Sequence, residues 1–189
     1  KDIVDYMTTS RKLCRYLHIP LQSGDDGILS AMGRRYSAGE FRKIIEYAIS
    51  KIPLLGIGTD IIAGFPGESE VAFENTFQFI LGLPFSNLHV FPYSKRPGTR
   101  AATMPSQVPV KVKKKRTVRL RELEVSKRTA FAQQFIGQPV SVLIEKLTNT
   151  GKAWGWTGEY LEAVVPSEGV HRKQMITFTP RRRENAVLC

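Results

Sequence analysis

The chain has 189 residues, of which 42% are hydrophobic and 24% charged, ordinary proportions for a folded globular protein, so disorder is excluded as its default state. No apolar run approaches the ~18–20 residues that span a bilayer, and the opening KDIVDYMTTSRK carries acids where a secretory signal would be apolar; both point to a cytoplasmic protein. The net charge of +11 is concentrated: residues 111–128 hold 9 Lys/Arg against 2 Asp/Glu, while residues 1–110 hold 12 against 10 and residues 129–189 hold 7 against 5.

Residues 1–15 read as the end of a helix and a connection, and Lys1 in place of an initiator Met points to a piece of a longer polypeptide. Tyr16 to Gly24 (YLHIPLQSG) reads as a strand with a polar tip, although Pro20 argues against full pairing. Ser37 and Glu40 make a capping box ahead of Phe41, Ile44, Ile45, Ala48, Ile49 and Ile52, which predicts a helix with a continuous buried stripe ending before Pro53. Ile57 to Glu68 (IGTDIIAGFPGE) is a second strand and tip. Glu68 to Leu83 is a second helix, with Phe73, Phe77, Ile80 and Leu81 on one face and Glu68, Glu70 and Glu74 where the helix dipole favours acids. Leu88 to Thr99 (LHVFPYSKRPGT) is a third strand and tip. This β-α-β-α-β order builds a parallel sheet, either doubly wound or part of a barrel, whose strand ends gather polar groups on one rim.

From Pro109 a long basic helix is expected, with Leu120, Leu123, Ala130, Phe131 and Phe135 on one side, stopped by Gly137. A block this basic is either a footprint for a polyanion or a solvated helix face. GQPVSVLIEKL, WGWTGEYLEAVVP and QMITFTP then read as short β runs of a small all-β barrel or sandwich.

At the tips, Gln22 and Ser23 are uncharged donors and acceptors suited to ribose hydroxyls or an amino-acid group, whereas His18 reads as structural. Arg34 and Arg35 follow a short helix, and either one pairs with a carboxylate or is a surface charge. Asp60, inside an apolar strand, must be hydrogen-bonded or face a wet cavity. Gly64, Pro66 and Gly67 let a flat ligand approach the backbone or serve a tight turn, and no phosphate-loop motif is present. Phe91 and Tyr93 alternate as stacking platform or core, beside a rim of Lys95, Arg96 and Arg100.

In this order, LHIPLQSG, MGRRYSAGEF, TDIIAGFPGES and HVFPYSKRPGTRAATMPSQV followed by a basic helix resemble the radical S-adenosylmethionine methylthiotransferases over nearly the whole chain. The resemblance implies the later part of a partial (β/α) barrel at 1–108, a basic linker helix at 109–137 and a TRAM domain, a small OB-like RNA-binding β-barrel, at 138–189. It implies S-adenosylmethionine and two 4Fe-4S clusters as cofactors, tRNA as partner, and transfer of a methylthio group to carbon 2 of an adenosine next to the anticodon; it is silent on the reductant and the sulfur source. Carried over by motif position, Gln22, Ser23, Arg34, Asp60, Gly64 and Phe91 would face the S-adenosylmethionine, and Lys95, Arg96, Lys113, Lys114, Lys115, Arg116 and Arg119 the RNA. The tip FPYSKRPGT looks more like the threonylcarbamoyl-adenosine branch than the isopentenyl-adenosine branch, which tends to read AYS there. Lys95 and Arg96 speak against the ribosomal-protein branch, which usually carries acids after YS.

The C-x-x-x-C-x-x-C of the family is missing, since Cys14 and Cys189 are the only cysteines, so the chain alone is expected to be inactive. The competing readings are a ribosomal-protein methylthiotransferase, a non-catalytic RNA-binding module, and a metal-free barrel lyase, for which Asp60 and Lys95 are thin candidates.

Overall fold

The computed structural model describes residues 2–189. A short helix α1 (Asp2–Thr9) packs Val4 and Met7 into the first core, where a three-stranded parallel sheet runs in the order β1 (Tyr16–His18), β2 (Gly56–Ala63), β3 (Asn87–Pro92). Between the strands lie α2 (Asp26–Ala31) with α3 (Ala38–Lys51), and then α4 (Glu70–Leu81). Neighbouring strands are consecutive in the chain, which suits a segment of a barrel better than the switched order of a doubly wound sheet.

The first strand is shorter than its apolar run. Pro20 has no N–H to give the ladder, and β1 stops at His18. Thr59 spans the break, its hydroxyl accepting from Leu21 N–H (2.9 Å) and donating to the Ile19 carbonyl (2.8 Å). Pairing resumes for one residue at Gln22, whose N–H donates to Asp60 O (2.8 Å) and whose carbonyl accepts from Ile62 N–H (2.9 Å).

Helix α3 has the expected cap, Ser37 and Glu40 bonding each other's backbone N–H. Its stripe is narrower than expected: Phe41, Ile45 and Ala48 are buried, while Ile44 faces solvent. Helix α4 starts at Glu70 behind an Ser69 cap, so Glu68 precedes it and is buried, and Leu81 is half-exposed.

After the single turn α5 (Arg100–Thr103) comes the basic helix α6 (Val110–Gln133). It is not a free linker. Leu120 and Leu123 enter the α/β core, and Phe131 and Ala132, with Phe135 just beyond, enter the core of the following unit, whereas Ala130 is exposed. That unit is a six-stranded sheet in the order β7-β4-β5-β6-β9-β8, made of β4 (Val140–Leu147), β5 (Lys152–Thr157), β6 (Glu162–Pro166), β7 (Met175–Phe178), β8 (Arg183–Glu184) and β9 (Val187–Leu188). All pairs are antiparallel except β6 with β9. Alternation in β4 sends Val140, Val142 and Ile144 inward and Ser141, Leu143 and Glu145 outward.

The two units meet at the start of β2. Gly56 lets the backbone of Glu159 approach so closely that any Cβ would collide with its carbonyl. Tyr160, held at φ 64°, lies between Tyr16 and Trp156 with 4.6 Å between ring centroids on each side. Arg128 adds an ion pair to Glu162 at 3.0 Å.

Candidate functional site

The tips of β2 and β3 and the Gln22 bridge enclose a hollow of about 470 Å³, within the size range of small-molecule sites. Gln22, Asp60, Phe65, Phe91, Tyr93 and Arg96 are among its walls. Gln22 adopts a left-handed φ of 72°, a conformation few non-glycine residues hold without an external constraint, and here the bridge to β2 supplies it. Phe91 leaves 52% of its surface uncovered in the mouth. The Tyr93 hydroxyl is buried with no hydrogen-bond partner among the described residues, an arrangement that costs on the order of 1–3 kcal/mol until something bonds to it. Asp60 meets both conditions expected of it: it lines the hollow, and its Oδ1 accepts from His18 Nε2 at 3.0 Å.

The other residues proposed for the nucleoside side lie elsewhere. Ser23 is fully buried, its hydroxyl sharing a 3.0 Å hydrogen bond with Thr76 of α4 and accepting the Asp25 N–H, so it secures the turn and does not face the hollow. Arg34 is exposed on the turn after α2 and lines none of the hollow. Gly64 does stand at the strand tip, at φ 76°, but the space where its Cβ would be is filled by the Lys113 side chain of α6, not left for a ligand.

Two grips from α6 fix this rim. Lys113 Nζ donates to the Tyr93 carbonyl at 3.0 Å. Arg116 is 4% exposed and donates to Glu68 Oε1 (2.7 Å), to the Glu68 carbonyl (3.0 Å) and to Glu70 (3.0 Å). Glu68 Oε1 also accepts the Gly64 N–H at 2.9 Å, which sets the turn. Burial pushes the Glu68 carboxyl above the usual carboxylate range, against the opposing pull of the Gly64 N–H and the Arg116 charge.

The basic block therefore divides. Arg116 is internal, a correction to its expected place on an RNA-facing surface, because Glu68, just before α4, and Glu70, its first residue, claim it. Arg119 is half-buried, paired with Glu74 at 3.0 Å and stacked over Phe73 and Phe77; hydrogen bonds from Gln78 and then Arg119 hold the Glu74 carboxyl below its ordinary range. Lys113 is engaged as described. Lys114 and Lys115, with Lys95 and Arg96 on the loop after β3, are exposed. Lys127, half-buried, gives its Nζ to the carbonyls of Leu81 and Leu83 at the end of α4, and burial lowers its pKa.

His89 was not singled out by the sequence. It sits opposite Asp60 in the β2–β3 register, and its Nδ1 lies 3.2 Å from the same Oδ1. A strand residue four before the YS of the tip was the available signal, legible only once the register was known.

Comparison with known proteins places these features in context. A family profile described as the radical SAM superfamily matches residues 1–80. A tRNA-2-methylthio-N(6)-dimethylallyladenosine synthase of Tropheryma whipplei is 43% identical over 143 residues, 76% of this chain and 30% of that protein. A threonylcarbamoyladenosine tRNA methylthiotransferase of Aquifex aeolicus is 35% identical over 144 residues, 76% of this chain and 35% of that protein. A synthase of the first kind from Desulfitobacterium hafniense is 36% identical over 168 residues, 88% of this chain and 38% of its own length. The chain thus spans about a third of the length of the curated relatives it matches.

Proposed function

Because the chain belongs to the radical S-adenosylmethionine methylthiotransferase family, we propose that its sheet tips form part of an S-adenosylmethionine site and that its basic surface binds tRNA. The protein of which these are parts would add a methylthio group to carbon 2 of a modified adenosine next to the anticodon. The observation that carries the reading is the convergence of Gln22, Asp60 and Phe91 on one hollow at the strand tips. Gln22 and Asp60 bond the ribose or amino-acid groups, and Phe91 stacks on the adenine.

Residues 1–108 then act as the barrel portion, 109–137 as the basic helix and 138–189 as a TRAM-like RNA-binding unit. Lys95, Arg96, Lys114 and Lys115 are the phosphate contacts. Between the two tRNA branches we keep threonylcarbamoyl-adenosine, on the tip HVFPYSKRPGT, although relatives of both names match. No helix among the described residues is long and apolar enough to cross a membrane, and a cytoplasmic location accords with a tRNA substrate.

The iron-sulfur chemistry of the family does not fit this chain's own residues. A 4Fe-4S cluster is held by cysteine thiolates, four in the common arrangement. The only two cysteines here are Cys14, exposed, and Cys189, half-buried at the far end of the chain. No step is therefore assigned to a cluster on these residues.

Calorimetric titration with S-adenosylmethionine tests the hollow: binding is expected, and Phe91→Ala or Asp60→Asn should weaken it about tenfold or more. Binding that ignores both substitutions refutes the assignment. For the branch, anticodon stem-loops carrying threonylcarbamoyl- or isopentenyl-adenosine compete for the chain. Preference for the isopentenyl form overturns that part alone.

A further inference from the structure

We propose that His18, Asp60 and His89 form a binding site for a divalent transition-metal ion of the zinc type on the open face of the parallel sheet. The three come from three adjacent strands, and each offers one ligand atom to the same point. His18 Nε2 and His89 Nδ1 stand 3.0 and 3.2 Å from Asp60 Oδ1, and all three atoms lie within 4.8 Å of one another. Ligand atoms on a tetrahedral zinc, with bonds of about 2.0–2.1 Å, are about 3.3 Å apart, so two edges of the coordination polyhedron are already at length. The third closes by rotation of imidazoles that are themselves 30% and 46% exposed.

The surroundings favour a cation. Gly58, paired with His18 across the β1–β2 ladder, leaves room that the Tyr16 hydroxyl and the His18 ring share, and a Cβ there would come within 2.8 Å of His18 Nδ1 and nearer still to the hydroxyl. The absence of that Cβ lets the ring reach across the sheet to Asp60. Asn87, two residues before His89 on the same strand face, has its side-chain amide 3.4 Å from His89 Nε2. In the metal-free protein that amide donates to Nε2 while Nδ1–H donates to Asp60. With metal on Nδ1 the proton moves to Nε2, and the amide, turned over, accepts it, the supporting bond that metal-ligating histidines usually have. Two imidazoles and one carboxylate leave coordination positions open, and Asp60 also lines the hollow, so those positions are open to water or to an oxygen ligand there.

The chain has three histidines, and His171 lies outside the cluster on an exposed turn, so the experiment has a built-in control. The chelator-treated chain is titrated with Zn(II) by calorimetry and with Co(II) by visible absorption, while imidazole ¹⁵N signals are followed by NMR. One equivalent is expected, with visible Co(II) bands and movement of the His18 and His89 signals while His171 stays still. His18→Gln and Asp60→Asn should each weaken uptake about tenfold or more, and His171→Ala should not. The NMR result needs no variant and stands even if a substitution impairs folding. No uptake, uptake undiminished in His18→Gln, or shifts confined to His171 would overturn the site, the last two by placing the metal on His171 or the cysteines.

Discussion

Replacing Arg116 with Met separates structural from RNA-binding roles in the basic helix. The guanidinium bonds the Glu68 carboxylate at 2.7 Å and its carbonyl at 3.0 Å, and both side chains are at most 5% exposed. The third bond goes to Glu70, 68% exposed, where screening leaves about 0–1 kcal/mol. Nearly all of the loss therefore comes from stranding the Glu68 charge, and removing one partner of a buried pair costs about 3–5 kcal/mol. Adding Glu68→Gln keeps an acceptor for the Gly64 N–H while removing the stranded charge, so the double variant should recover about half of that loss or more. Arg119→Met, from a half-exposed pair, should cost about 1 kcal/mol or less. Urea unfolding followed by far-ultraviolet circular dichroism reads all four proteins; tryptophan fluorescence is less suitable, because Trp154 and Trp156 both lie in β5. An Arg116→Met loss no larger than that of Arg119→Met would refute the reasoning and return Arg116 to the nucleic-acid surface.

Lys114→Ala with Lys115→Ala should reduce the slope of log affinity for tRNA against log salt by up to about 2, measured by fluorescence anisotropy, while Arg116→Met leaves that slope unchanged. Gly64→Ala requires an alanine at φ 76° and displaces Lys113, so it should cost more than about 1 kcal/mol in urea unfolding; a neutral result would show that the rim is looser than drawn. Burial raises the Tyr16 phenol above its usual range. The unfolded phenol ionises near pH 10 while the folded one stays protonated, so the folded state binds more protons and stability falls as pH rises through and above about 10. Tyr16→Phe should shallow that fall by up to about one proton in the linkage slope, and an unchanged slope between pH 9 and 11 refutes the assignment.

What the sequence made legible was local. The Ser37–Glu40 box and the three polar tips are patterns within a few residues, and the structure has each of them; the basic helix, expected to run to Gly137, ends earlier, at Gln133. That Gln22, Asp60 and Phe91 share a hollow followed from parallel strands ending on one rim. What stayed hidden depended on partners far along the chain. Arg116 meets Glu68 48 residues away, and nothing in a run of basic residues distinguishes the one that turns inward. Ser23 looked like its neighbour Gln22, but it is turned toward Thr76 of α4, a partner 53 residues away. His18 read as structural and His89 went unread, because only the strand register brings both to Asp60. The break at Pro20 was signalled, but its repair by the Thr59 hydroxyl was not.

Helix α6 gives Leu123 to one core and Phe131 to the other without an intervening turn. A helix advances 1.5 Å and turns 100° with each residue, so those eight positions act as a fixed ruler and protractor between the two halves of the molecule. Loss of a single residue there would swing the distal sheet by about 100° around the helix axis and carry Tyr160 out of its slot beside Tyr16. Lengthening this rod should therefore be tolerated, if at all, only in whole turns.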